Sequence, residues 1–547
     1  MLRLEVRNLE KSYRDRLIVK TDELRVQHGV RIGIVGLNGA GKSTLLDILS
    51  GDAEPDSGKV IQHGTTAVVP QLDDFGEQGI SPGIEGKWQV RRVSDEHMSG
   101  GERTRRKIAR ALAEKADLLF ADEPTSHLDL EGIEHLEAEL KQYKGAVFLI
   151  SHDRELLDVV CTKIIEVEDG EVHEYKGNYS AYREQKAHQK ERAWFEYEAY
   201  TKEKKRLKAA TVETSQKAKN MRKTPKRMGN SEARLHKRAV NGKKQSLESQ
   251  VKAIESRIDH LEKKEKPKEQ DAVQFDIQFF SPVHGKTAIQ LERVTKRFGE
   301  RTLFRDLSCS IKPGMKVALF GKNGTGKSTL LNMIVSREEG VRVAGSGKIG
   351  YFHQNLANLD EDRSILENVS EKSPYPETMI RTMLARLLFK RDDVFKSVGV
   401  LSGGEKVKVA LAKIFLGDHN ILLLDEPTNY LDIFTHEELE GVLQAYPGTI
   451  LFATHDRRLM NQLADHVLAI EADQVVFFEG NYDQYMKSKE QPEPSADSNE
   501  QTIMKLENEL AEVIGRLSLP QKEDDKQELE ERYQGLLKEL KATRSKS

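Results

Sequence analysis

Two stretches of the chain have the residue pattern of a phosphate-binding loop, at 36–43 (GLNGAGKS) and 321–328 (GKNGTGKS). In such a loop the glycines let successive backbone N–H groups point at nucleotide phosphates, and the following helix adds its positive end. The lysine neutralises the β- and γ-phosphates, and the serine hydroxyl binds Mg²⁺. The sequence therefore predicts two sites for a nucleotide and Mg²⁺, at Lys42 and Lys327.

An acidic pair and a histidine follow each loop at matching distances. They are Asp122-Glu123 with His152, and Asp425-Glu426 with His455. Each pair ends an apolar run. The interval from the serine of an SGGE sequence to the Asp is the same in both copies, and so is the interval from the glutamate to the histidine. Phosphoryl transfer to water needs one carboxylate near the metal and another to orient the attacking water. An isolated pair of this kind is usually a solvated strand end, but equal spacing in two copies favours chemistry.

The surrounding elements predict an α/β fold that occurs twice. Each loop lies between a short apolar run and a helix-like stretch, and each acidic pair and histidine ends another β-rich apolar run. The chain has 547 residues, which exceeds what one hydrophobic core usually serves. We therefore expect one domain fold used twice, in the ranges 1–182 and 286–487. The alternating residues 1–7 predict an edge strand.

In this set of motifs the sequence resembles the ATP-binding-cassette (ABC) ATPases. The resemblance covers both halves and implies two tandem ABC-type P-loop ATPase domains, in which the SGGE loop of one closes over ATP held by the other. Ser402 and Gly404 would then complete the site at Lys42, and Ser99 and Gly101 the site at Lys327. The resemblance also implies that the two histidines sense the γ-phosphate, that two glutamines reach the metal, and that two aromatic rings stack on adenine, although ordinary packing would also explain the rings.

The site residues expected from these patterns and from the resemblance fall into three groups. The catalytic residues are Glu123, Glu426, His152 and His455. The residues expected at ATP are Tyr13, Gly36, Asn38, Gly39, Gly41, Lys42, Ser43, Thr44, Gln71, Ser99, Gly101, Phe298, Gly321, Asn323, Gly324, Gly326, Lys327, Ser328, Thr329, Gln354, Ser402 and Gly404. The residues expected at Mg²⁺ are Ser43, Gln71, Asp122, Ser328, Gln354 and Asp425.

The segment 183–275 differs from both domains. Its return arm repeats apolar residues in a heptad pattern, at Leu247, Val251, Ile254, Ile258 and Leu261. We predict two antiparallel helices of about 30 residues, each about 45 Å long, with a tip near 213–235. Between Lys202 and Lys244 there are 16 Lys and Arg against three Glu, although the whole chain has a net charge of −3. Such a basic tip predicts a polyanionic partner, with a merely solvated basic coiled coil as the alternative.

Two cassettes on one chain, with a long basic helical linker between them, resemble the ABC-F family. In that family the linker enters the ribosomal exit-tRNA site and approaches the P-site tRNA and the peptidyl-transferase centre. The stretch 223–235 resembles the antibiotic-resistance branch of the Vga and Vml types, which protects the ribosome from drugs acting there. The short interval from Gln71 to Ser99 leaves no room for the extra arm of translation-throttle members. The residues expected to contact RNA are Lys217, Lys219, Arg222, Lys223, Lys226, Arg227, Met228, Arg234, Lys237 and Arg238.

The resemblance implies a protein that binds the 70S ribosome through 23S rRNA and the P-site tRNA, and we expect it to be cytoplasmic. We expect a monomer with its own cassettes paired, no stable membrane partner and no DNA partner. Only two cysteines occur, which suggests a reducing compartment, and the apolar runs are too short to span a membrane. The alternatives are a general factor that relieves stalled ribosomes, the ATPase subunit of a membrane ABC transporter, and a DNA-repair ATPase.

Beyond the second cassette, a polar stretch precedes apolar residues at helical spacing in 500–547. This spacing predicts a small helical hairpin. Similar extensions in some resistance-branch members reach the small ribosomal subunit. A self-contained docking or dimerisation element explains the spacing equally well.

Overall fold

A computed structural model gives the fold. It describes residues 1–70, 87–88, 100–220, 230–267, 280–299, 301–353, 359–389, 391–429, 431–471, 474–490, 506, 510, 513–514 and 526–544. Two α/β cassettes, one before and one after a pair of long helices, make up most of this part of the chain.

The first cassette is built on one nine-stranded sheet with the strand order β4-β1-β2-β9-β8-β3-β7-β6-β5. Its strands are β1 (Leu2–Tyr13), β2 (Arg16–Gln27), β3 (Arg31–Val35), β4 (Ser57–Gln62), β5 (Thr66–Val69), β6 (Leu118–Asp122), β7 (Ala146–Ile150), β8 (Lys163–Glu168) and β9 (Glu171–Lys176). Its helices are α1 (Lys42–Ser50), α2 (Gly100–Ala113), α3 (Leu130–Gln142) and α4 (Arg154–Val160).

The predicted edge strand at the start of the chain is wrong. β1 lies inside the sheet, because it pairs with β2 on one side and with β4 on the other. Its charged residues alternate with Leu4, Val6 and Leu9, which are fully buried. Alternation of charged and apolar residues indicates a strand with one buried face. It cannot distinguish an edge strand from an internal one, because both have such a face in antiparallel pairing.

Three neighbouring parallel strands hold the residues of chemical interest. β3, β7 and β6 lie side by side, with Ile32 opposite Phe148 and Asp122 opposite Ile150. The phosphate-binding loop follows β3, the acidic pair ends β6, and His152 follows β7. Because the carboxyl ends of parallel strands meet at one edge, the sheet brings all three motifs together, as ligand sites of open α/β sheets require.

The second cassette repeats this plan with its outer strands separated. A three-stranded sheet has the order β11-β10-β13, and a six-stranded sheet has the order β14-β15-β16-β12-β17-β18. The strands are β10 (Ile289–Phe298), β11 (Arg301–Ile311), β12 (Lys316–Gly321), β13 (Val341–Val343), β14 (Ile349–Phe352), β15 (Ile421–Asp425), β16 (Thr449–Ala453), β17 (His466–Glu471) and β18 (Gln474–Glu479). The helices are α7 (Lys327–Ser336), α8 (Ile365–Ser370), α9 (Glu377–Arg386), α10 (Gly403–Phe415), α11 (Ile433–Ala445), α12 (Arg457–Leu463) and α13 (Tyr482–Glu490), with 3-10 turns at Arg391–Phe395 and Val398–Val400.

The helix after each SGGE sequence differs sharply between the cassettes. In the second cassette, α10 packs against α8 and α9 and buries eight of its residues, including Val409 and Ala410. In the first cassette, α2 buries only Ile108, Ala109 and Ala111. When both helices are aligned on the serine of their SGGE sequence, the positions of Val409 and Ala410 correspond to Arg106 and Lys107.

Two long helices connect the cassettes, α5 (Tyr179–Lys219) and α6 (Asn230–Asp259). Glu203 lies 3.9 Å from Arg257, and Glu196 lies 3.4 Å from Lys264. The partner of the residue seven positions earlier in α5 is thus seven positions later in the return arm. This is the register of an antiparallel pair, and both pairs are centred on residue 230.

Four of the apolar residues on which the predicted seam rests lie at heptad spacing along α6. Leu247, Val251, Ile254 and Ile258 are half-buried between exposed neighbours. The outgoing helix is longer than predicted, at 41 residues or about 60 Å. It begins four residues early because Asn178 caps it by accepting from the Ala181 N–H, and no break follows Tyr182.

At the C-terminal end the structure describes α14 (Lys526–Arg544) and a few residues before it. Leu536 and Leu540 are buried one helical turn apart on α14, and Val513 is buried as well, while the hairpin itself stays a prediction. Within the described residues, no helix is both long and apolar enough to cross a bilayer.

Candidate functional site

Each phosphate-binding loop is closed around its own lysine. The Lys42 ammonium donates to the carbonyls of Gly36 and Leu37 at 2.9 and 3.0 Å, and Lys327 donates to the Gly321 carbonyl at 2.8 Å. These bonds hold the buried ammonium groups at the start of α1 and α7, where backbone N–H groups favour an anion. Both loops therefore have the shape and charge of a phosphate site.

Glycine is needed where each loop meets its helix. Gly41 and Gly326 have φ values of 104° and 101°, in the left-handed region that other residues avoid. A Cβ at Gly41 would lie 2.7 Å from Ile18 Cγ2, and one at Gly326 would lie 2.8 Å from Leu303 Cδ1. A side chain at either position would therefore clash with the neighbouring strand, β2 or β11, against which the loop packs.

The two glutamates are buried at the carboxyl ends of β6 and β15. Glu123 and Glu426 have φ values of 48° and 49°, which is strained for a residue with a side chain. Burial raises the pKa of each to about 8, a value to which the charge of the neighbouring Asp122 or Asp425 contributes. A carboxylate with such a pKa accepts a proton near neutral pH, as a group that activates water must.

Each histidine faces the glutamate of its own cassette. His152 Nε2 lies 3.3 Å from Glu123 Oε1, and His455 Nε2 lies 3.5 Å from Glu426 Oε1. Burial lowers the pKa of His152 well below its usual value, with Lys42 adding to the effect, and lowers that of His455 to about 3. Both rings are therefore neutral and able to hydrogen-bond to a phosphate oxygen without carrying charge. Lys327 also lies 3.2 Å from His455 Nε2.

The donor set beside each loop fits Mg²⁺. Asp122 is buried and accepts a hydrogen bond from Ser43, so the hydroxyl and the carboxylate already share one corner of the site. Among the described residues, Glu123 Oε1 and Glu426 Oε1 are buried without a hydrogen-bond donor. Hydroxyl and carboxylate oxygens are the ligands that Mg²⁺ prefers, and the orphaned oxygens suit a bound water.

Residues of the first cassette complete the loop at Lys327. Asn323 donates through its side chain to the His127 carbonyl at 2.9 Å, and its backbone N–H lies 3.5 Å from Asp129 Oδ2. A Cβ at Gly101 would lie 3.2 Å from Asn323 Nδ2, so the SGGE helix of the first cassette abuts this loop. The two halves thus share one site.

The loop at Lys42 has a corresponding relation to the second cassette. Asn38 and Gly404 line one cleft of about 1040 Å³, which also reaches Lys327 and Phe298. Asp432 of the second cassette opposes the burial that lowers the pKa of Lys42, as Asp129 does for Lys327. Each lysine therefore interacts electrostatically with a carboxylate of the opposite cassette. For Lys42 this is the N-cap of α11, and for Lys327 it is the N-cap of α3.

An exposed aromatic ring stands beside each loop. Tyr13 ends β1 with 55% of its surface exposed and lines a cavity of about 260 Å³ with Lys42, Ser43 and Thr44. Phe298 ends β10, is 58% exposed, and lines the larger cleft with Lys327. Large exposed rings next to an anion site suit a base whose flat face needs a partner.

The structure also places several other predicted site residues, while some lie outside the part of the chain that it describes. Gly39 lines the cavity at Lys42, and Gly324, Ser328 and Thr329 line the larger cleft. Ser402 caps α10 in a capping box with Glu405. Lys217 and Lys219 lie in the last turn of α5, and Arg238 is exposed on α6. The residues that lie outside the described backbone or side chains are Gln71, Ser99, Arg222, Lys223, Lys226, Arg227, Met228, Arg234, Lys237 and Gln354.

Sequence reasoning missed residues that connect the halves. They are His127, Asp129 and Asp432 beside the loops, and Arg154, Glu440, Arg457 and Glu137 in two ion pairs across the cassettes. The signal was present, because one repeat interval relates Asp129 to Asp432, Arg154 to Arg457, and Glu137 to Glu440. The same interval relates the two acidic pairs and the two histidines.

Comparisons with known proteins agree with this arrangement. A family model described as ABC transporter matches residues 19–79, 81–126 and 304–429. The chain is 33% identical over 549 residues to the ribosome protection protein VmlR of Bacillus subtilis (strain 168), with 98% of this chain and 97% of the relative covered. It is 32% identical to the energy-dependent translational throttle protein EttA of Haemophilus influenzae, with 87% and 93% covered. A solved structure described as RNase-L Inhibitor has a TM-score of 0.61 at 20% identity, covering 88% of this chain and 92% of that one, and so shares its fold.

Proposed function

Because the chain belongs to the ABC-F family, whose members bind and hydrolyse ATP, we propose that it protects the 70S ribosome from antibiotics. The predicted fold class, two tandem ABC-type ATPase domains, is confirmed. In the proposal the protein enters the ribosomal E site with both cassettes closed on ATP. Its linker tip then lies near the P-site tRNA and the peptidyl-transferase centre, and the protein leaves after hydrolysis.

The observation that carries this proposal is the linker, because both cassettes hold its base. On the side of the first cassette, Tyr182 and Lys186 donate to the buried Glu166 at 2.7 and 2.9 Å. On the side of the second, the Tyr179 hydroxyl donates to Glu437 at 3.1 Å, and Arg183 pairs with the same carboxylate at 2.7 Å. A change in how the cassettes meet must therefore move α5, and with it the far end of the linker.

In the proposal each segment of the chain has its own function. Residues 1–182 and 286–487 form the two ATPase domains, 183–275 the linker with its tip near 213–235, and 500–547 the C-terminal extension. The basic far end of the linker binds 23S rRNA and the P-site tRNA, since Lys and Arg side chains neutralise phosphates. The protein acts as a cytoplasmic monomer, and neither DNA nor a membrane channel is its partner.

ATP hydrolysis assigns a role to each described side chain of the sites. Lys42 and Lys327 hold the β- and γ-phosphates, and the opposite SGGE loop covers the nucleotide. Glu123 and Glu426 orient the attacking water and accept its proton, for which their raised pKa suits them. Ser43 and Asp122, or Ser328 and Asp425, would hold Mg²⁺, which when bound would supply positive charge to the phosphates. The neutral histidines hold the γ-phosphate.

Drug susceptibility tests the proposal. The wild-type chain, expressed in a susceptible bacterium, should raise the inhibitory concentration of a lincosamide, a streptogramin A or a pleuromutilin. A drug that acts on the small ribosomal subunit should be unaffected, and the double variant Glu123→Gln/Glu426→Gln should give no protection. Unchanged susceptibility to every peptidyl-transferase drug, with the protein present on ribosomes, would contradict the proposal.

The similarity to a translational throttle protein supports a second candidate, a general factor that relieves stalled ribosomes. That function predicts slower growth after deletion of the gene without any drug, together with ribosomes paused on messages. Recovery of the protein with membranes instead would favour the transporter subunit, for which the basic linker has no use.

A further inference from the structure

Among the ion pairs that the described residues form between the cassettes, two begin beside a histidine of the ATP sites. Arg154 is the second residue after His152 and the first of α4, and Arg457 occupies the same place after His455 at the start of α12. The carboxylates they meet, Glu440 on α11 and Glu137 on α3, belong to the opposite cassette.

The pair of Arg154 and Glu440 is sealed from solvent. Arg154 donates through both terminal nitrogens to the two oxygens of Glu440, with Nη1 3.0 Å from Oε2. The arginine side chain is 1% exposed and the glutamate side chain 8%. Bidentate geometry is the strongest form of this contact, and a buried charge whose partner leaves is costly.

The second pair repeats the first in a looser form. Arg457 donates through Nη2 to Glu137 Oε1 and also lies 2.7 Å from Glu155, through Nε. Glu155 belongs to the first cassette too, so two carboxylates from across the interface share this arginine. The side chains of Arg457 and Glu137 are 14% and 11% exposed.

Both carboxylates sit on the helices that lead away from the ATP sites. α3 begins at the cap Asp129, and α11 begins at the cap Asp432. The cap carboxylates Asp129 and Asp432 are the ones whose charge raises the pKa of the loop lysine in the opposite cassette, against the effect of burial. Each ion pair therefore ties the histidine segment of one cassette to the helix whose first residue faces that cassette's own ATP site.

We propose that Arg154–Glu440 and Arg457–Glu137 are positioning pairs that keep the two cassettes closed and hold each histidine against its site. Separation of the cassettes must break both pairs and expose four charges at once. The pairs thus set how long nucleotide stays trapped between the cassettes. The inference rests on the proposed closure of the cassettes over ATP and needs nothing of the ribosome.

Release of a fluorescent ATP analogue tests this inference in the full chain. The parent is the Glu123→Gln/Glu426→Gln variant, in which hydrolysis does not limit the measurement. Arg154→Ala and Glu440→Ala should each speed release about tenfold or more. The double variant should release no faster than either single variant, because the second substitution removes a side chain whose contact is already broken. Arg154→Lys, which keeps the charge and loses the second hydrogen bond, should lie between.

The exposed contact between Glu131 and Lys322 supplies a matched control across the same interface. Its side chains are 51% and 71% exposed, so Glu131→Gln should change release by less than about twofold. Each variant must keep the parent's circular dichroism, and Arg154→Lys replaces Arg154→Ala if the latter does not fold. Release as slow as the parent's in folded Arg154 and Glu440 variants would overturn the inference. That outcome would leave ribosome binding untouched, because no ribosome takes part in the assay.

Discussion

The two cassettes have the same ATP-site plan but differ in the helix that follows the SGGE sequence. In the second cassette α10 is apolar and covered by α8 and α9, whereas in the first α2 is basic and buries only three residues. The interval from the glutamine to the SGGE serine runs from 71 to 99 in the first cassette and from 354 to 402 in the second, so it is much shorter in the first. The cassette with the shorter interval is therefore also the one with the basic helix, because a helix that buries less of its surface needs fewer apolar residues.

The largest expected effect comes from exchanging one residue between these helices. Val409→Arg places in α10 the arginine that α2 carries at the same position, and it buries a charge in a site that is 0% exposed. We expect it to lower the free energy of unfolding by at least about 3 kcal/mol. The reverse exchange, Arg106→Val, should cost about 1 kcal/mol or less. Urea unfolding followed by circular dichroism measures both, and equal losses would contradict the comparison.

A smaller difference is expected at the carboxylates that cap α3 and α11. Lys408 lies 3.3 Å from Asp432, with side chains 8% and 1% exposed, while Arg105 lies 2.6 Å from Asp129, with side chains 19% and 6% exposed. Lys408→Ala strands the more deeply buried carboxylate and should cost about 3 kcal/mol of unfolding free energy. Arg105→Ala should cost roughly half as much, because water reaches that site more easily. A larger loss for Arg105→Ala in thermal unfolding would reverse this ranking.

The hydrogen bond from Asn323 to the first cassette should matter less again. Asn323→Ala removes the donor to the His127 carbonyl, which is worth about 1 kcal/mol, so the KM for ATP should rise roughly fivefold. Asn332→Ala removes an amide that donates to the Ser328 carbonyl within α7 and should change KM by less than about twofold. Steady-state ATPase assays compare them. An unchanged KM in Asn323→Ala would show that this contact does not help to hold the nucleotide.

The smallest effect is expected where the cassettes agree. Cys161 and Cys309 are both buried, and burial raises the pKa of the Cys309 thiol to about 12 and that of Cys161 further. Because the thiolate is the reactive form, neither should be alkylated by iodoacetamide in the folded protein at neutral pH. Intact-mass measurement should show both modified only in denaturant. Rapid labelling of one cysteine in the native protein would reveal an opening confined to that cassette.

The sequence was most informative where chemistry fixes both residue type and spacing. The loops at Lys42 and Lys327, the acidic pairs and the histidines lie at one sheet edge in each cassette, because each motif stands at the carboxyl end of one of three neighbouring parallel strands. The shared site at Asn323 and Gly101 was expected only from the family resemblance, because nothing in either motif alone says that the other half covers it.

Local patterns were less informative about neighbours in space. Alternation in β1 predicted a strand correctly and its edge position wrongly, since pairing on the second side comes from β4, which follows the phosphate-binding loop and α1 in the chain. The heptad spacing of the return arm predicted which of its residues are half-buried, whereas the early start of α5 depends on the cap at Asn178. The Arg154–Glu440 pair joins residues far apart in the chain, and only the repeat interval of the two halves hinted at it.

We propose that the protein acts on the ribosome with its cassettes closed on ATP. The most direct measurement is sucrose-gradient sedimentation of the Glu123→Gln/Glu426→Gln variant in a bacterial lysate with ATP. Loss of the water-orienting carboxylates should slow hydrolysis by about 100-fold or more while ATP still binds. We predict stable comigration with 70S ribosomes that disappears without ATP. Absence of this variant from the ribosomal fractions, with ATP bound and the protein folded, would show that the closed cassettes do not bind the ribosome.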